Sequence, residues 1–532
     1  MSKKRINLRR IFCRGLVACS AICTALVLAV SSAEAQSRLS VRLQQYLDEL
    51  NAKSGQETVL GLYVADAETG KELFSSNGTH LFIPASVLKI ITTFAALKAL
   101  GGAYRFPTEV FIDHLPHEQD VRLDTSVGLD EKRKETWKAG NLYLRGYGDP
   151  SFVSEQLFEL AQGIKARGVD QVEHVVIDDS LFKDPPRASG PRPYQAALSA
   201  TSLNSNCYTV TIAPGASGAP AFVSLGPGTP FRLRNQVRAR RGSGKDLQIS
   251  QVPFSASFVP GVNQEKLGLF TVLEGSKVLV DVRGTIGLDG DAEIRYLTVP
   301  DPPGYFGALL KFMLEKAGVA VSGKILLGQT PAPAKQLLLY ESKALAEILR
   351  DLNHYSSNYL AGQIVFAMGQ DDSGRFRYEL GVSRLKKVLN DLGYEDDKFN
   401  IVDGSGLSRE NKLTPEQIVK VLAAAYRDFS VAPDLIASFS RFGHTGTLKK
   451  RNLLPEKDAA SVPTTVYLRE RQLASGVWGK TGTLDGVSSL AGFLESRGGA
   501  RLAFAVVANG PEGKALATET EDDLTKILLF TE

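Results

Sequence analysis

Apolar and polar positions along the 532-residue chain change texture several times, and each change marks an element. A mostly apolar run of 16 residues, Gly15 to Val30, follows a basic start and is too short to span a bilayer as a helix. Val59 to Ala65 is apolar, Asp66-Ala67-Glu68-Thr69-Gly70 reads as a turn, and Lys71 to Phe74 returns as a second strand. From Val87 to Leu100 the residues are apolar and helix-favouring, which predicts a largely buried helix with Pro84 at its start. His114 to Lys138 is densely charged and reads as an exposed loop. A helix is expected around Ser154 to Ala166 and a strand at His174 to Ile177; between Tyr208 and Val299 short strands alternate with Gly/Pro/Ser turns.

After the Pro/Ala stretch Thr330 to Ala334, read as a linker, helical periodicity returns. Helices are expected at Lys343–Leu352, through Ala367 from an opening at His354-Tyr355-Ser356-Ser357-Asn358-Tyr359, at Val382–Leu392 and at Thr414–Arg427, the last opened by Thr414-Pro415-Glu416. Asp403 to Ser408 forms a Gly/Ser loop. A hairpin, Ser489–Leu494 to Leu502–Ala508, turns at Arg497-Gly498-Gly499, and a last helix runs from about Glu521 to Phe530.

Composition changes this picture at the N-terminus. Lys3, Lys4, Arg5, Arg9, Arg10 and Arg14 precede the apolar run, and Ala33-Glu34-Ala35 follows it as an A-x-A cleavage site. Residues 1–35 therefore read as a secretory signal peptide. That leader carries a surplus of five positive charges in a chain of formal net charge +4, so the remainder is near −1. A balanced remainder gives no electrostatic case for nucleic acid. Of the four cysteines, Cys13, Cys19 and Cys23 leave with the leader, and Cys207 alone cannot form an internal disulfide. Six histidines, without a Cys cluster or H-E-x-x-H, point to no metal and no cofactor.

The candidate chemistry begins at Ser86-Val87-Leu88-Lys89. A serine hydroxyl needs an adjacent base to act as a nucleophile, and a lysine serves only when neutral. Burial and the positive end of a helix dipole both favour the neutral amine. Ser-x-x-Lys occurs three times, but Ser180/Lys183 and Ser383/Lys386 sit among charged residues and read as solvated. Two further motifs follow in order: Ser356-Ser357-Asn358 and Lys480-Thr481-Gly482. Ser-x-Asn also occurs at Ser75-Ser76-Asn77 and Ser202-Leu203-Asn204, whereas K-T-G occurs once.

Together these motifs resemble the active site of the penicillin-recognising serine acyl-transferases. Gly140-Asn141-Leu142, Gly148-Asp149-Pro150, the Asp403–Ser408 loop and about 270 residues between the first two motifs narrow the likeness. They resemble the D-alanyl-D-alanine carboxypeptidase/endopeptidase family, the class C low-molecular-mass penicillin-binding proteins. The resemblance implies an α+β fold: a β-lactamase/transpeptidase-like domain, an antiparallel sheet flanked by helices, with a large β-rich insertion. The catalytic domain would comprise residues 36–105 and 331–532, and the insertion residues 106–330.

The resemblance also implies roles. Ser86 would attack the carbonyl between two D-alanines, and Lys89 would take its proton. Ser356 would relay a proton to the leaving amine, and Asn358 would orient Lys89 and the substrate amide. Lys480 and Thr481 would hold the terminal carboxylate, Gly482 would let the strand approach, and the N–H groups of Ser86 and Thr483 would form the oxyanion hole. The implied ligands are peptidoglycan stem peptides and β-lactam antibiotics, without nucleic acid, and the implied location is the periplasm, with at most a loose membrane association. Arg232, Arg234, Arg238, Arg240 and Arg241 read as a solvated edge strand or as a contact for an anionic wall polymer. Two alternatives remain: a β-lactamase or esterase on the same scaffold, and a non-catalytic wall-binding protein. Against a class A lactamase, Lys386 occupies the place of the Glu in the nearest E-x-x-L-N match, and Ser356 departs from the Tyr-x-Asn of class C lactamases.

Overall fold

The computed structural model describes residues 37–50, 58–115, 139–253, 266–267, 269–273, 278–454, 464–511 and 513–531. The expected signal peptide and most of the charged loop lie outside these residues. The rest divides into two compact units. One comprises the chain up to Ile90 with Tyr394–Asn400 and Arg409–Glu532, and the other Ile91–Gly393 with Ile401–Ser408. Residues 331–393, expected with the catalytic part, group with the second unit.

The first unit is built on a six-stranded sheet. Its order is Glu72–Ser76, Val59–Asp66, Arg501–Asn509, Val487–Glu495, Trp478–Leu484, Ser440–Arg441. Every pair in it is antiparallel. Val487–Glu495 is buried at every position except Glu495, and Arg501–Asn509 at seven consecutive positions. Central strands buried on both faces read as continuous apolar runs, and both faces must then be covered. On one face, Leu39, Leu43 and Leu47 of helix 37–50 pack with Leu524 and Leu528 of helix Gly513–Phe530 against Leu490, Phe504 and Val506. Helix Pro415–Arg427 lies against the Val59–Asp66 and Arg501–Asn509 strands. It starts as its sequence predicts: Thr414 Oγ1 accepts from Gln417 N, Gln417 Oε1 accepts from Thr414 N, and Pro415 fills the first turn.

The second unit holds a seven-stranded mixed sheet, ordered Lys266–Leu267, Phe270–Val272, Ile325–Leu327, Val175–Asp178, Leu142–Gly146, Pro107–Ile112, Lys335–Glu341. The stretch after the Pro/Ala linker is thus a strand, paired with Pro107–Ile112. Helices Ser154–Ala166 and Pro302–Lys316 pack on each other and share a core with this sheet. The second of these helices was not expected. Its signal is Asp301-Pro302-Pro303: Asp301 accepts from Gly304 N, and the prolines occupy the first turn. The β-rich stretch forms two three-stranded sheets: Arg232–Arg240, Val278–Gly287, Lys245–Pro253, and Glu293–Thr298, Cys207–Ala213, Phe222–Leu225. Helices Leu345–Tyr355, Asn358–Met368 and Tyr378–Asn390 follow. Among the described residues no helix is long and apolar enough to cross a membrane.

Candidate active site

Ser86 does not open an α-helix directly. Ala85–Leu88 is a single 3-10 turn, with Pro84 before it, and the α-helix begins at Lys89. In a 3-10 turn residues three apart eclipse, which stacks Lys89 over Ser86 more closely than α geometry would. Lys89 Nζ lies 2.8 Å from Ser86 Oγ and donates to it. Between Phe82 and Thr93 every residue is buried except Ser86. The hydroxyl therefore stands at the edge of an apolar segment with its lysine sealed beneath it.

The turn is held against the sheet by residues that motif reading alone missed. Asn509, on the Arg501–Asn509 strand, accepts from Ile83 N at 2.8 Å and donates to Ile83 O at 3.2 Å. Ser489 Oγ donates to Pro84 O at 2.8 Å. Phe82 exchanges backbone hydrogen bonds with Leu413. Ala85 has φ of +48°, a left-handed conformation that costs a non-glycine residue about 1–3 kcal/mol. No local sequence signal announces that strain; the clasp by distant residues maintains it.

Lys480, Thr481, Gly482 and Thr483 lie on strand Trp478–Leu484, against which the 3-10 turn packs. Gly482 shows why this position has no side chain: a Cβ there would lie 2.8 Å from Ser86 N and 2.9 Å from Pro84 O. Lys480 is completely buried, as is Lys89. Burial, and next the charge of Lys89, hold the Lys480 ammonium well below the usual lysine range. Lys480 Nζ donates to Thr481 O at 2.5 Å. Thr481 is half-buried, and its hydroxyl donates to Thr447 Oγ1 at 2.8 Å. Thr447 belongs to the His444-Thr445-Gly446-Thr447-Leu448 stretch and is a second residue of this surface that the three motifs do not name. Thr483 is exposed two positions further along the strand.

Ser356 and Asn358 belong to the second unit. Helix Leu345–Tyr355 ends on Ser356 in left-handed conformation, φ +53°, and Ser357 caps the next helix by accepting from Leu360 N. The chain thus reverses between two helices at this dipeptide, with Asn358 at the first position of the second helix. Within this unit Asn353 donates to Thr93 Oγ1 at 3.0 Å, and Thr92 Oγ1 donates to Gly404 O at 2.7 Å. The Asp403–Ser408 loop is organised by Asp403, which accepts from the backbone N–H groups of Ser405, Gly406 and Ser408.

The repeated motifs have structural uses. Ser180 donates to Asp178 while Lys183 pairs with Asp184, and Ser383 donates to Leu380 O. Asn77 donates to Leu60 O, and Asn204 accepts from Ser154 N. Cys207 is buried and its thiol is pushed up to about 12 by that burial, which makes it unreactive. Among the described residues no group of three or more His, Cys, Asp or Glu could hold a metal ion.

The model of the D-Ala-D-Ala carboxypeptidase 3 (S13) family matches residues 43–529. The chain belongs to that family. It is therefore a serine-type D,D-peptidase, of the class C low-molecular-mass penicillin-binding group that its motifs resemble. It is 30% identical over 480 residues to the D-alanyl-D-alanine carboxypeptidase of Actinomadura sp. (strain R39), covering 86% of this chain and 79% of that one. It is 23% identical to the D-alanyl-D-alanine carboxypeptidase DacB of Haemophilus influenzae, over 89% of this chain and 90% of that one. The crystal structure of penicillin binding protein 4 (dacB) from Haemophilus influenzae matches with a TM-score of 0.69 at 22% identity. That match covers 91% of this chain and 99% of that chain. The match places this D,D-peptidase in the same fold, a transpeptidase-like domain with a β-rich insertion.

Proposed function

We propose that this D,D-peptidase works through an acyl-enzyme on Ser86, formed from peptidoglycan stem peptides in the periplasm and equally from β-lactams. The observation that carries the reading is the 2.8 Å contact between Ser86 Oγ and the Nζ of a fully buried lysine, Lys89, beside a second fully buried lysine, Lys480. Two buried ammonium groups oppose each other's protonation, so the pair favours a neutral amine. With Lys89 neutral the contact reverses: the hydroxyl donates its proton to Nζ as Oγ bonds to the scissile carbonyl carbon. The developing oxyanion would be met by Ser86 N–H and Thr483 N–H. Collapse breaks the C–N bond, and the leaving D-alanine amine takes the proton; Ser356 is proposed as the relay and Asn358 as the group that orients the substrate amide. Water then hydrolyses the ester. Cleavage of a cross-link uses the same steps with a longer leaving amine.

Thr481 presents its hydroxyl at the surface with Lys480 behind it, which suits a terminal carboxylate: an arriving anion favours the charged form of Lys480. The roles of Ser356 and Asn358 rest on motif order and on the half-buried turn that carries them. We likewise propose that residues 36–105 and 331–532 form the catalytic part and 106–330 the insertion. The test is release of D-alanine from a stem pentapeptide together with mass spectrometry of penicillin-treated protein. A penicillin adduct on the Ser86 peptide supports the reading; an adduct on any other residue overturns it.

A further inference from the structure

The β-rich stretch contains one surface unlike the rest. Strand Arg232–Arg240 alternates so that Leu233, Val237 and Ala239 turn inward while Arg232, Arg234, Gln236, Arg238 and Arg240 turn outward and are exposed. Its neighbour Val278–Gly287 pairs in parallel register, Arg234 with Asp281, Gln236 with Arg283 and Arg238 with Thr285. The third strand adds Ser250, Gln248 and Asp246 to the same face. Residues paired across strands share a face. That face therefore carries five arginines against two aspartates, a surplus of three positive charges on a chain whose portion beyond the leader is near −1. One aspartate, Asp281, is buried under Arg283, whose Nη2 lies 2.6 Å from it. Arg238 donates to the Gly218 carbonyl, and Arg234, Arg238 and Arg240 make no ion pair among the described residues. The inner face is closed by Leu233, Val280, Val282, Leu247 and Ile249 on the core, so the outer face is not an interior in waiting.

A solvated sheet face needs charge for solubility, but lysine and mixed signs suffice for that. Here every outward cation is an arginine, whose planar fork pairs bidentately with carboxylates. Successive outward positions recur about every 6.6–6.8 Å, and the row from Arg232 to Arg240 runs about 27 Å. We propose that this face docks an uncross-linked strand of peptidoglycan, a linear polymer whose stem peptides end in carboxylates, and so keeps the enzyme on its polymeric substrate. The proposal rests on the stem-peptide reading of the active site.

The test is co-sedimentation of the purified protein with insoluble peptidoglycan, comparing wild type with the Arg234→Gln/Arg238→Gln/Arg240→Gln triple variant. Release of D-alanine from a soluble acyl-Lys-D-Ala-D-Ala peptide is followed in parallel. The half-saturating amount of peptidoglycan is expected to rise about tenfold in the triple variant, the sum of three modest exposed contacts. Wild-type binding is expected to weaken between low and about 0.3 M salt, to fall when the polymer's carboxyls are amidated, and to recover in part in the triple Lys variant. Soluble-peptide turnover and the melting temperature are expected to stay unchanged. Unaltered sedimentation of the triple variant overturns the proposal. So does loss of binding to teichoic acid or single-stranded DNA with peptidoglycan binding intact. Failure of the soluble-peptide reaction in wild type would instead strike the active-site reading.

Discussion

Gly482→Ala is the substitution for which the structure dictates the outcome most directly. The added Cβ would sit 2.3 Å from Ser489 Oγ, 2.8 Å from Ser86 N and 2.9 Å from Pro84 O. A hydroxyl can rotate away; two backbone atoms of the turn that carries Ser86 cannot. Room must come from a shift between strand Trp478–Leu484 and the 3-10 turn, which displaces Ser86 N–H and breaks the Ser489–Pro84 contact. Losing one oxyanion donor costs about 10²–10³ in rate, near 3–4 kcal/mol, while overpacking costs about 1–3 kcal/mol of stability. The assay is the acylation rate with a fluorescent penicillin, beside D-alanine release and thermal melting. Gly482→Ala should lose at least about a hundredfold in acylation while remaining folded. Ser489→Ala, which removes the contact without adding bulk, should lose far less. The double variant should not recover, because the backbone contacts remain. A Gly482→Ala protein that acylates at the wild-type rate would refute both the close approach and the placing of Ser86 N–H in the oxyanion hole.

The other expectations concern the charges. Ser86→Ala should fold normally and lose penicillin labelling, and Lys89→Ala should lose nearly as much, at least about 10⁴-fold each, because a nucleophile and its base act as one unit; residual labelling of Ser86→Ala, read by gel fluorescence, would exclude it as the nucleophile. Lys480→Ala should shift the acidic limb of the acylation–pH profile upward: with the neighbouring charge removed, Lys89 holds its proton to higher pH, and the active neutral form is lost earlier as pH falls. Lys480→Arg should lose part of the acylation rate, since a planar fork replaces a compact ammonium. Away from the site, Glu521 is buried beneath Arg451 and Ser488, and burial raises its carboxyl from 4.5 to about 7. Its native state therefore keeps a proton that the unfolded chain releases, so its contribution is fully present below about pH 4.5 and is lost as pH rises through about 7. The change is up to roughly 3 kcal/mol. Melting temperature against pH should show that slope in wild type and not in Glu521→Gln.

Much of the fold was legible because burial enforces periodicity. The hairpin Val487–Glu495 to Arg501–Asn509 and the capped helix Pro415–Arg427 follow their sequences to within a few residues. Three short motifs named the candidate residues; the first unit brings Ser86, Lys89 and Lys480–Thr483 together, and Ser356 and Asn358 belong to the second. What was not legible is non-local. Lys335–Glu341 is half exposed, so no alternation announced it as a strand, and its partner lies more than two hundred residues earlier. The 3-10 turn at Ala85–Leu88 is too short for periodicity to separate from the helix it leads into. Asn509 and Ser489 look like ordinary strand positions, and only the fold aims them at residues 83 and 84.

These last two residues bear on how Ser86 is positioned. The left-handed Ala85 carries strain, and relaxing it would shift the turn that bears Ser86 against the strand it packs on. Three contacts oppose that: Asn509 on both backbone groups of Ile83, Ser489 on the Pro84 carbonyl, and the Phe82–Leu413 backbone pair. At about 1 kcal/mol net for each hydrogen bond, together they exceed the strain at one residue. The strand that supplies Ser489 is paired residue by residue with the strand carrying Lys480, so Gly482 faces Ser489 across the ladder. Ser86, Lys89 and Lys480 are therefore referred to one rigid sheet rather than to the flexible ends of a loop. Such placement on scaffold elements gives a hydroxyl and an amine the fixed separation that proton transfer requires. It also explains why chemistry written in four adjacent residues depends on positions some four hundred residues away.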